Sequence, residues 1–366
     1  MKLNINFFTS RTITFYMIRM FLVRSASVLA ALVIVLMALD LLGESGDILA
    51  YPGNGDHAIW VYTTLRVPQI IQRFLPFAAL LGTLITLVTL NQNSEIISMK
   101  AAGVSAHQIL APLVLASIGV AALSFAFNER VVARSTATLT AWQNANYGPV
   151  PIDRGVVANV WVRDGDDLVH ATSASGRGAA TRLDGVSIYD RNGGTLLAII
   201  KGAHAIQVAG GWRVSDVSRF DVARGVTQQL PYYDFAKGVT PDRFTLASVD
   251  PTAKSLPALR DAIADLDAAG RPTGTLQANM WHKISGPLSA VLMPLLAGVA
   301  AFGLARSGRL FVRAVIGMAL GFAYFVADNF ALAMGNLGAY PPMLAAWAPF
   351  LLFLLIGETV LIRTEE

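Results

Sequence analysis

The sequence predicts a membrane α-helical bundle of six transmembrane helices, arranged as three plus three, with an inserted all-β domain that resembles a jelly roll. The first observation is composition: 54% of the 366 residues are hydrophobic and 14% are charged, against about 45–50% and about 25% in soluble proteins. The second is that the apolar residues form long runs. The third is a central polar region with β-type turns at short intervals.

Six of these runs are long enough to cross a bilayer, whose apolar core of about 30 Å needs about 20 residues of helix. Helices are expected because backbone polar groups in lipid must bond within their own segment. A cleaved signal peptide in place of the first run is disfavoured, because the run is long and has no clear A-x-A site. The predicted helices are Phe21–Leu42, Val67–Leu90, His107–Phe127, Ile284–Leu304, Ala314–Met334 and Met343–Ile362.

The chain then divides into two transmembrane halves, 1–128 and 281–366, separated by a β domain at 129–254 and an amphipathic connecting helix and link at 255–280. The β prediction rests on runs rich in β-branched residues on both sides of turn signals. Those turns are Asp164–Asp166, Asn192–Gly194 and Gly210–Gly211.

Lysine and arginine in the short flanking segments predict the orientation of the bundle. Four basic residues precede or begin the first helix, and three arginines lie in the link 305–313. The links 43–60 and 335–342 contain neither residue type. Both termini and residues 91–106 are therefore expected in the cytoplasm, and the β domain on the opposite side.

Motifs of known catalytic chemistry are not found in the sequence. It has no G-x-x-x-x-G-K-[ST] for ATP, no H-E-x-x-H for zinc and no G-x-S-x-G nucleophile elbow. The five histidines lack metal-ligand spacing, and the chain has no cysteine. The net charge of +4 is modest and implies no nucleic acid. We therefore expect a protein that is not an enzyme and has no cofactor and no metal.

Ionisable residues within the apolar runs are candidates for function, because they are costly to place in lipid. Asp40, Arg73, Asp328 and Glu358 are of this kind. An aspartyl-protease pair of Asp40 and Asp328 has no flanking motif to support it. For Asp328 and Glu358 the preferred interpretation is ion pairing between helices.

Arg66, Gln69 and Arg73 fall on one face of the second helix, since residues i, i+3 and i+7 are neighbours on a helix. In a structural interpretation, Asp40 pairs with Arg73 while Arg66 extends to the lipid headgroups. In a functional interpretation, the face meets a phosphate-bearing substrate, which the planar guanidinium binds well. The sequence leaves both interpretations open.

The segment 93–103 predicts a short helix between the second and third runs. Asn93 or Ser94 can cap this helix, and Glu95 then lies favourably at its positive end. Gly103 is a suitable residue to end it.

Two roles are open for this short helix. Ile96, Met99 and Lys100 share one face, with Glu95 at its edge, which is similar to the coupling helix of an ABC transporter. Such a helix seats in a groove of a separate ATPase subunit. The alternative is a helix lying passively on lipid, although that kind usually carries lysine or arginine on its polar face.

Three stretches of the sequence are distinctive: VYTTLRVPQIIQRFLPFAALLGTLITLVTLNQNSEIISMKAAGVS (61–105), NMWHKISGPLSAVLMPLLA (279–297) and GFAYFVADNF (321–330). They resemble the second helix with the coupling helix, the fourth helix and the fifth helix of the LptF/LptG family of lipopolysaccharide-export permeases. The last two stretches are similar to its LptG branch. The order of helices and β domain matches the family over essentially the whole chain.

The resemblance implies a permease subunit that pairs with an LptF-like permease and is driven by an LptB-like ATPase dimer. An LptC-like single-helix protein and an LptA-like bridge protein are the other implied partners. The complex would extract lipopolysaccharide from the bacterial inner membrane and pass it through the periplasmic β domain toward the outer membrane. Glu95 corresponds to the glutamate of the family's coupling helix.

One departure from the family concerns the cations that meet the lipid A phosphates. Enteric relatives carry a lysine late in the first helix where this chain has Met37, and their basic residues after the third helix are not matched around 139–142. The cations proposed instead are Arg66, Arg73, Arg130 and Arg134. The residues expected to line a cavity for the acyl chains are Met37, Leu41, Phe74, Phe77 and Phe322.

Two other classes of protein stay open as alternatives. A secondary transporter of an amphiphile should show inverted repeats and discontinuous helices, but no convincing repeat relates the two halves. A membrane-anchored periplasmic scaffold would not need a cytoplasmic helix that carries a glutamate, or polar groups within the second helix.

Overall fold

A computed structural model describes residues 10–149, 157–176, 180–208, 210–236, 239–245, 250–268, 272–303 and 310–365. In this part of the chain, three long helical spans precede a six-stranded sheet and three follow it. All six spans have the length and hydropathy of membrane-crossing helices. The predicted helical bundle with an inserted β domain is confirmed.

The N-terminal half begins with two helices that are longer than predicted. The 40 residues of α1 correspond to about 60 Å at 1.5 Å per residue, which is about twice the thickness of an apolar bilayer core. The helices therefore continue beyond the apolar runs into polar sequence. The helices of this half are α1 (Arg11–Ala50), α2 (Asp56–Gln92), α3 (Glu95–Ala101), α4 (Ala106–Phe127) and α5 (Ala133–Asn144).

A π-helical turn at Asn128–Val132 joins α4 to α5 as one continuous span. In the C-terminal half, a second π turn at Val299–Gly303 extends α8. Residues 304–309, which contain two of the three arginines used to predict the orientation, lie outside the described part of the chain. The helices that follow the sheet are α6 (Asp242–Thr245), α7 (Leu256–Ala268), α8 (Gly274–Gly298), α9 (Leu310–Asn336) and α10 (Pro342–Glu365).

The core of the bundle lies between α2, α4 and α8, whereas α1 is largely exposed. Glycines let neighbouring helices approach closely. A Cβ on Gly82 of α2 would lie 2.8 Å from the backbone N and Cα of Ser25 on α1. A Cβ on Gly321 of α9 would lie 2.2 Å from Cδ2 of Leu80 on α2. The two glycines therefore allow α1 and α9 to pack closely against α2.

The β domain is one antiparallel sheet whose strands follow in sequence order. Gly165, Gly193 and Gly210 adopt positive φ at the three predicted turns, where a residue without Cβ is favoured. The crossover connections of a jelly roll are not seen among the described strands, so the topology is that of a meander. The strands are β1 (Val157–Asp164), β2 (Asp167–Ser175), β3 (Arg182–Asn192), β4 (Thr195–Val208), β5 (Gly211–Asp221) and β6 (Val226–Phe235).

Part of the sheet packs against α6. Trp212 is fully buried, and its indole N–H donates to the carbonyl of Val239 at 2.9 Å. Phe244 of α6 packs edge-on against the same indole, with ring centroids 4.9 Å apart. Burial of these aromatic residues gives the domain a hydrophobic core that is separate from that of the helical bundle.

Candidate functional site

The N-terminal end of the short helix α3 agrees only in part with the prediction. Its first residue is Glu95, as expected, but Ser94 before it has a left-handed φ of 59° and its side chain caps no amide. Instead Asn93 Nδ2 donates to Glu95 Oε1 at 3.2 Å, and the hydroxyl of Tyr16 on α1 donates to the same oxygen at 3.3 Å. The carboxylate thus stays partly accessible while α1 orients it.

The C-terminal end of α3 is formed as predicted. Gly103 has a φ of +83°, its amide donates to Lys100 O at 2.9 Å, and the Val104 amide donates to Met99 O at 3.0 Å. These two bonds form a Schellman motif, which satisfies carbonyls at the helix end. The motif fixes the direction in which the chain leaves α3 for α4.

The apolar face of α3 points into this protein itself, which corrects the expected outward contact. Ile96 is 6% exposed within the bundle core, and Met99 packs against that core. Lys100 lies over the Phe302 ring at 4.9 Å. The reason is that burying an apolar side chain against α2 and α4 is favourable without any partner. The large apolar residue left outward is Ile97, which is 60% exposed.

Arg66 on α2 is the partner of Asp40 on α1. Its Nη2 and Nε lie 2.9 and 3.1 Å from the two carboxylate oxygens, and Tyr62 donates to the same carboxylate at 2.6 Å. Arg66 Nη1 also donates to Gln69 at 2.8 Å. The suggested Asp40–Arg73 bridge is therefore wrong, because the bidentate geometry is satisfied by Arg66, which lies on the face of α2 turned toward Asp40.

Arg73 lies on the wall of a cavity within the transmembrane bundle. This cavity has a volume of about 380 Å³ and lies between α2, the α4–α5 span, α8 and α9. Arg73 is exposed and makes no ion pair among the described residues. Residues on the wall with amide, imidazole or other charged side chains are Gln69, Gln72, Asn128, Asn279, His282, Lys283, Asp328 and Asn329.

Two polar side-chain contacts made by cavity-wall residues join separate helices. His282 Nε2 of α8 lies 2.9 Å from Asp328 Oδ2 of α9, as the interhelical interpretation of Asp328 predicts. Lys283 Nζ lies 3.6 Å from Glu129 Oε1 in the first π turn. Sequence reasoning missed Lys283 and Glu129; the available signal was a charged residue at the edge of an apolar run, which is a functional candidate.

Glu358 on α10 behaves as the sequence predicts, since its Oε2 lies 3.3 Å from Nε2 of His107 on α4. In the described residues, no group of three metal-ligating side chains comes together.

Arg130 and Arg134 are not brought to the cavity with Arg73. They are exposed residues one helical turn apart, whereas Asn128, Val132 and Thr136 from the same span line the cavity. Residues at i, i+4 and i+8 share a face of a helical span, so the two arginines lie on another face.

The five apolar residues expected at a substrate cavity separate into three groups. Phe77 lines the cavity and packs edge-on against Phe325, with centroids 5.0 Å apart. Met37, Leu41 and Phe74 belong instead to a hydrophobic cluster between α1, α2 and α5. Phe322 is 60% exposed on α9.

The end of α5 is fixed to the end of α1 near the β domain. Tyr147 donates to Glu44 Oε2 at 2.5 Å, and Asn54 Nδ2 donates to the carbonyls of Ile48 and Tyr147 at 2.8 and 2.9 Å. Burial and the neighbouring Glu44 carboxylate raise the pKa of Tyr147 to about 12. The tyrosine therefore remains a hydrogen-bond donor at neutral pH.

Comparison with known proteins agrees with this architecture. The model of the family "Lipopolysaccharide export system permease LptF/LptG" matches residues 15–363. The permease protein LptG of Escherichia coli strain K12 is 30% identical over 332 residues, covering 87% of this chain and 89% of its own. LptG of Haemophilus influenzae is 26% identical over 326 residues, covering 86% and 89%. The chain belongs to the LptF/LptG family of lipopolysaccharide export system permeases.

Proposed function

We propose that the chain is a non-catalytic permease subunit that a separate ATPase drives through α3. Family membership makes it a permease of lipopolysaccharide export. The sequence contains no P-loop, so the work of ATP hydrolysis must come from another protein. One observation carries the proposal: α3 presents Glu95 and Ile97 outward between two membrane spans.

The geometry of α3 suits a mechanical contact. Its C-terminal end is fixed by the Gly103 motif, and Ile96 anchors its inner face in the core of α2, α4 and α8. A push on the outer face would therefore move the spans rather than only the helix. The carboxylate of Glu95 offers a charged contact to a basic residue, and Ile97 offers an apolar one.

The cavity lined by Arg73 and Phe77 supports the substrate part of the proposal. An amphiphile with a phosphate-bearing head needs a cation at the cavity, and Arg73 has no acidic partner among the described residues to neutralise it. A guanidinium binds phosphate oxygens through two parallel hydrogen bonds. Phe77 and Phe325 add apolar wall beside it. Arg66 has a structural role instead, because its guanidinium is already paired with the Asp40 carboxylate.

Partners and orientation complete the proposal. The chain is a multi-pass membrane protein, and we place both termini and α3 in the cytoplasm and the β domain in the periplasm. The partners are an LptF-like permease, an LptB-like ATPase dimer, an LptC-like single-helix protein and an LptA-like bridge. The exposed apolar residues along α1 and α9 suit contact with a second permease subunit or with lipid.

Two adjacent isoleucines test the coupling role of α3. Ile97→Asp should reduce co-purification of the ATPase by about tenfold or more while leaving the Tm of the permease unchanged, because a central apolar contact typically contributes at least about 2 kcal/mol. Ile96→Asp should instead lower the Tm, because it buries a carboxylate in the core. Equal ATPase recovery from wild type and Ile97→Asp would contradict the proposal.

A further inference from the structure

Glu129 connects three parts of the molecule. It lies in the π turn between α4 and α5, its Oε1 is 3.6 Å from Lys283 of α8, and its Oε2 accepts the backbone amide of Leu256 at 2.7 Å. Leu256 is the first residue of α7, which the chain reaches on its return from the β domain. The Glu129 carboxylate therefore links two transmembrane spans with residues 250–256, which we call the returning segment because the chain here comes back from the β domain.

The Glu129–Lys283 pair is enclosed but loosely bonded. The two side chains are 17% and 8% exposed, yet 3.6 Å is longer than the roughly 2.7–2.9 Å of a charged N–H···O bond. Within the described residues, Glu129 Oε1 has no hydrogen-bond partner. The buried ammonium of Lys283 is therefore only partly compensated by its contact with the Glu129 carboxylate.

Lys283 is also part of the cavity wall that holds Arg73. The returning segment reaches the same cavity, because Pro251 and Thr252 line it. Glu129 thus contacts both Lys283, which faces the cavity, and the returning segment, which lines part of the same cavity. π turns occur frequently at functional sites in α-helices, which agrees with a movable group at this position.

We propose that Lys283 binds an anionic group of the phosphate class in the cavity, and that Glu129 is the counter-ion displaced by this anion. A phosphate group pairs with Lys283 and Arg73, and Glu129 then withdraws from both Lys283 and the amide of Leu256. Arrival of the ligand in the cavity is thereby signalled to the segment that leads from the β domain. The inference rests on the proposed function, because it takes the cavity as the place where the exported lipid binds.

Hydrogen exchange at the Leu256 amide tests this proposal in the full-length chain, purified with its transporter partners in lipid nanodiscs. Pro257 has no amide, so a peptide covering 252–259 reports mainly on Leu256 and its neighbours. The probes are lipopolysaccharide, the same lipopolysaccharide with its phosphates removed, and inorganic phosphate. Phosphorylated lipopolysaccharide should raise Leu256 exchange by about tenfold, the change that accompanies loss of a hydrogen bond to a charged group.

Two variants separate the roles of the pair. Glu129→Gln should show raised Leu256 exchange before any ligand is added. Lys283→Met should bind the lipid more weakly than wild type does, and at saturating lipid it should lack the exchange response. Lys254→Met is the matched control, because it removes a lysine near Leu256 that lies outside the cavity wall, and it should keep the full response. The comparison of wild type with and without ligand needs no variant to fold.

Each arm of the experiment has a defined meaning. A response to inorganic phosphate supports the anion site and identifies a free ion as a sufficient ligand, whereas a response only to the phosphorylated lipid identifies the headgroup. An equal response to dephosphorylated lipid, or a full response in Lys283→Met, overturns the inference. Retention of lipid with unchanged Leu256 exchange also overturns it, while failure of the complex to bind any lipopolysaccharide contradicts the proposed function instead.

Discussion

Arg66 and Arg73 lie on one face of α2 and differ in what surrounds them. Arg66 is held by both oxygens of Asp40 and by Gln69, which leaves its guanidinium little capacity for a ligand. Arg73 lies two helical turns further along, on the wall of a cavity. The same residue type therefore has a structural role at the first position and is available for binding at the second.

Alanine substitution of each arginine should separate these roles. Arg66→Ala removes the partner of Asp40 and should lower the free energy of unfolding by about 1–2 kcal/mol, since a partly exposed charged hydrogen bond is screened by solvent. Arg73→Ala should leave the Tm unchanged and weaken lipopolysaccharide binding by about tenfold, as loss of one charged contact does. Thermal unfolding and lipid binding in nanodiscs measure the two effects. The assignment fails if Arg73→Ala binds lipid as wild type does.

At the scale of elements, close contacts between helices fix how the spans pack. Gly82 places the backbone of α2 against the backbone of Ser25 on α1. The nearest atom is the Ser25 hydroxyl oxygen, but the next two are backbone atoms of Ser25 at 2.8 Å, so rotation of the serine side chain alone cannot make room for a methyl group. The contact therefore helps to position α1 against α2.

Gly82→Ala should consequently lower stability by about 1–3 kcal/mol, because overpacking forces α1 away from α2. Gly119→Ala on α4 is the control, since a Cβ there meets no atom within 4 Å. In a helix interior that change should raise stability by about 0.5–1 kcal/mol. Thermal unfolding of the two variants should shift in opposite directions; a Gly82→Ala variant as stable as wild type would show that α1 does not depend on this contact.

Local signals explain what the sequence predicted and what it did not. Composition predicts the six long apolar runs. Local backbone preferences, which do not depend on packing against other helices, predict the three turns and the end of α3 at Gly103. The inward direction of Ile96 and the Arg66–Asp40 pair depend on which helices lie beside α2 and α3. A single sequence does not specify those neighbours. The Glu129–Lys283 pair joins residues 154 positions apart, since 283 − 129 = 154, and periodicity carries no information on it.

The whole molecule has two regions of interest, the cavity with Arg73 and Lys283 and the short helix α3. The cavity borders the middle of α2, at residues 69–77, together with Pro251 and Thr252, whereas α3 follows the C-terminal end of α2. Movement imposed at α3 would have to travel along α2, α4 and α8 to reach the cavity. These helices share one hydrophobic core, and such a packed core transmits strain.

Two cysteine variants test the proposed orientation, because the natural chain contains no cysteine. Ala223→Cys lies in the exposed β5–β6 turn and Ala102→Cys follows α3, also exposed. A maleimide that cannot cross the inner membrane should label the first variant in cells with a permeabilised outer membrane. It should label the second only after the inner membrane is opened. The reverse pattern would invert the topology.

Charge reversal at Glu95 tests the central claim most directly. Asp47→Arg is the matched control, because it makes the same charge change at an exposed site at the other end of α1. Glu95→Arg should cut ATPase co-purification and lipopolysaccharide-stimulated ATP hydrolysis by at least about tenfold, equivalent to about 1.4 kcal/mol, while Asp47→Arg retains both. If Glu95→Arg binds the ATPase and exports lipid as wild type does, α3 is not the site at which ATP hydrolysis drives this permease.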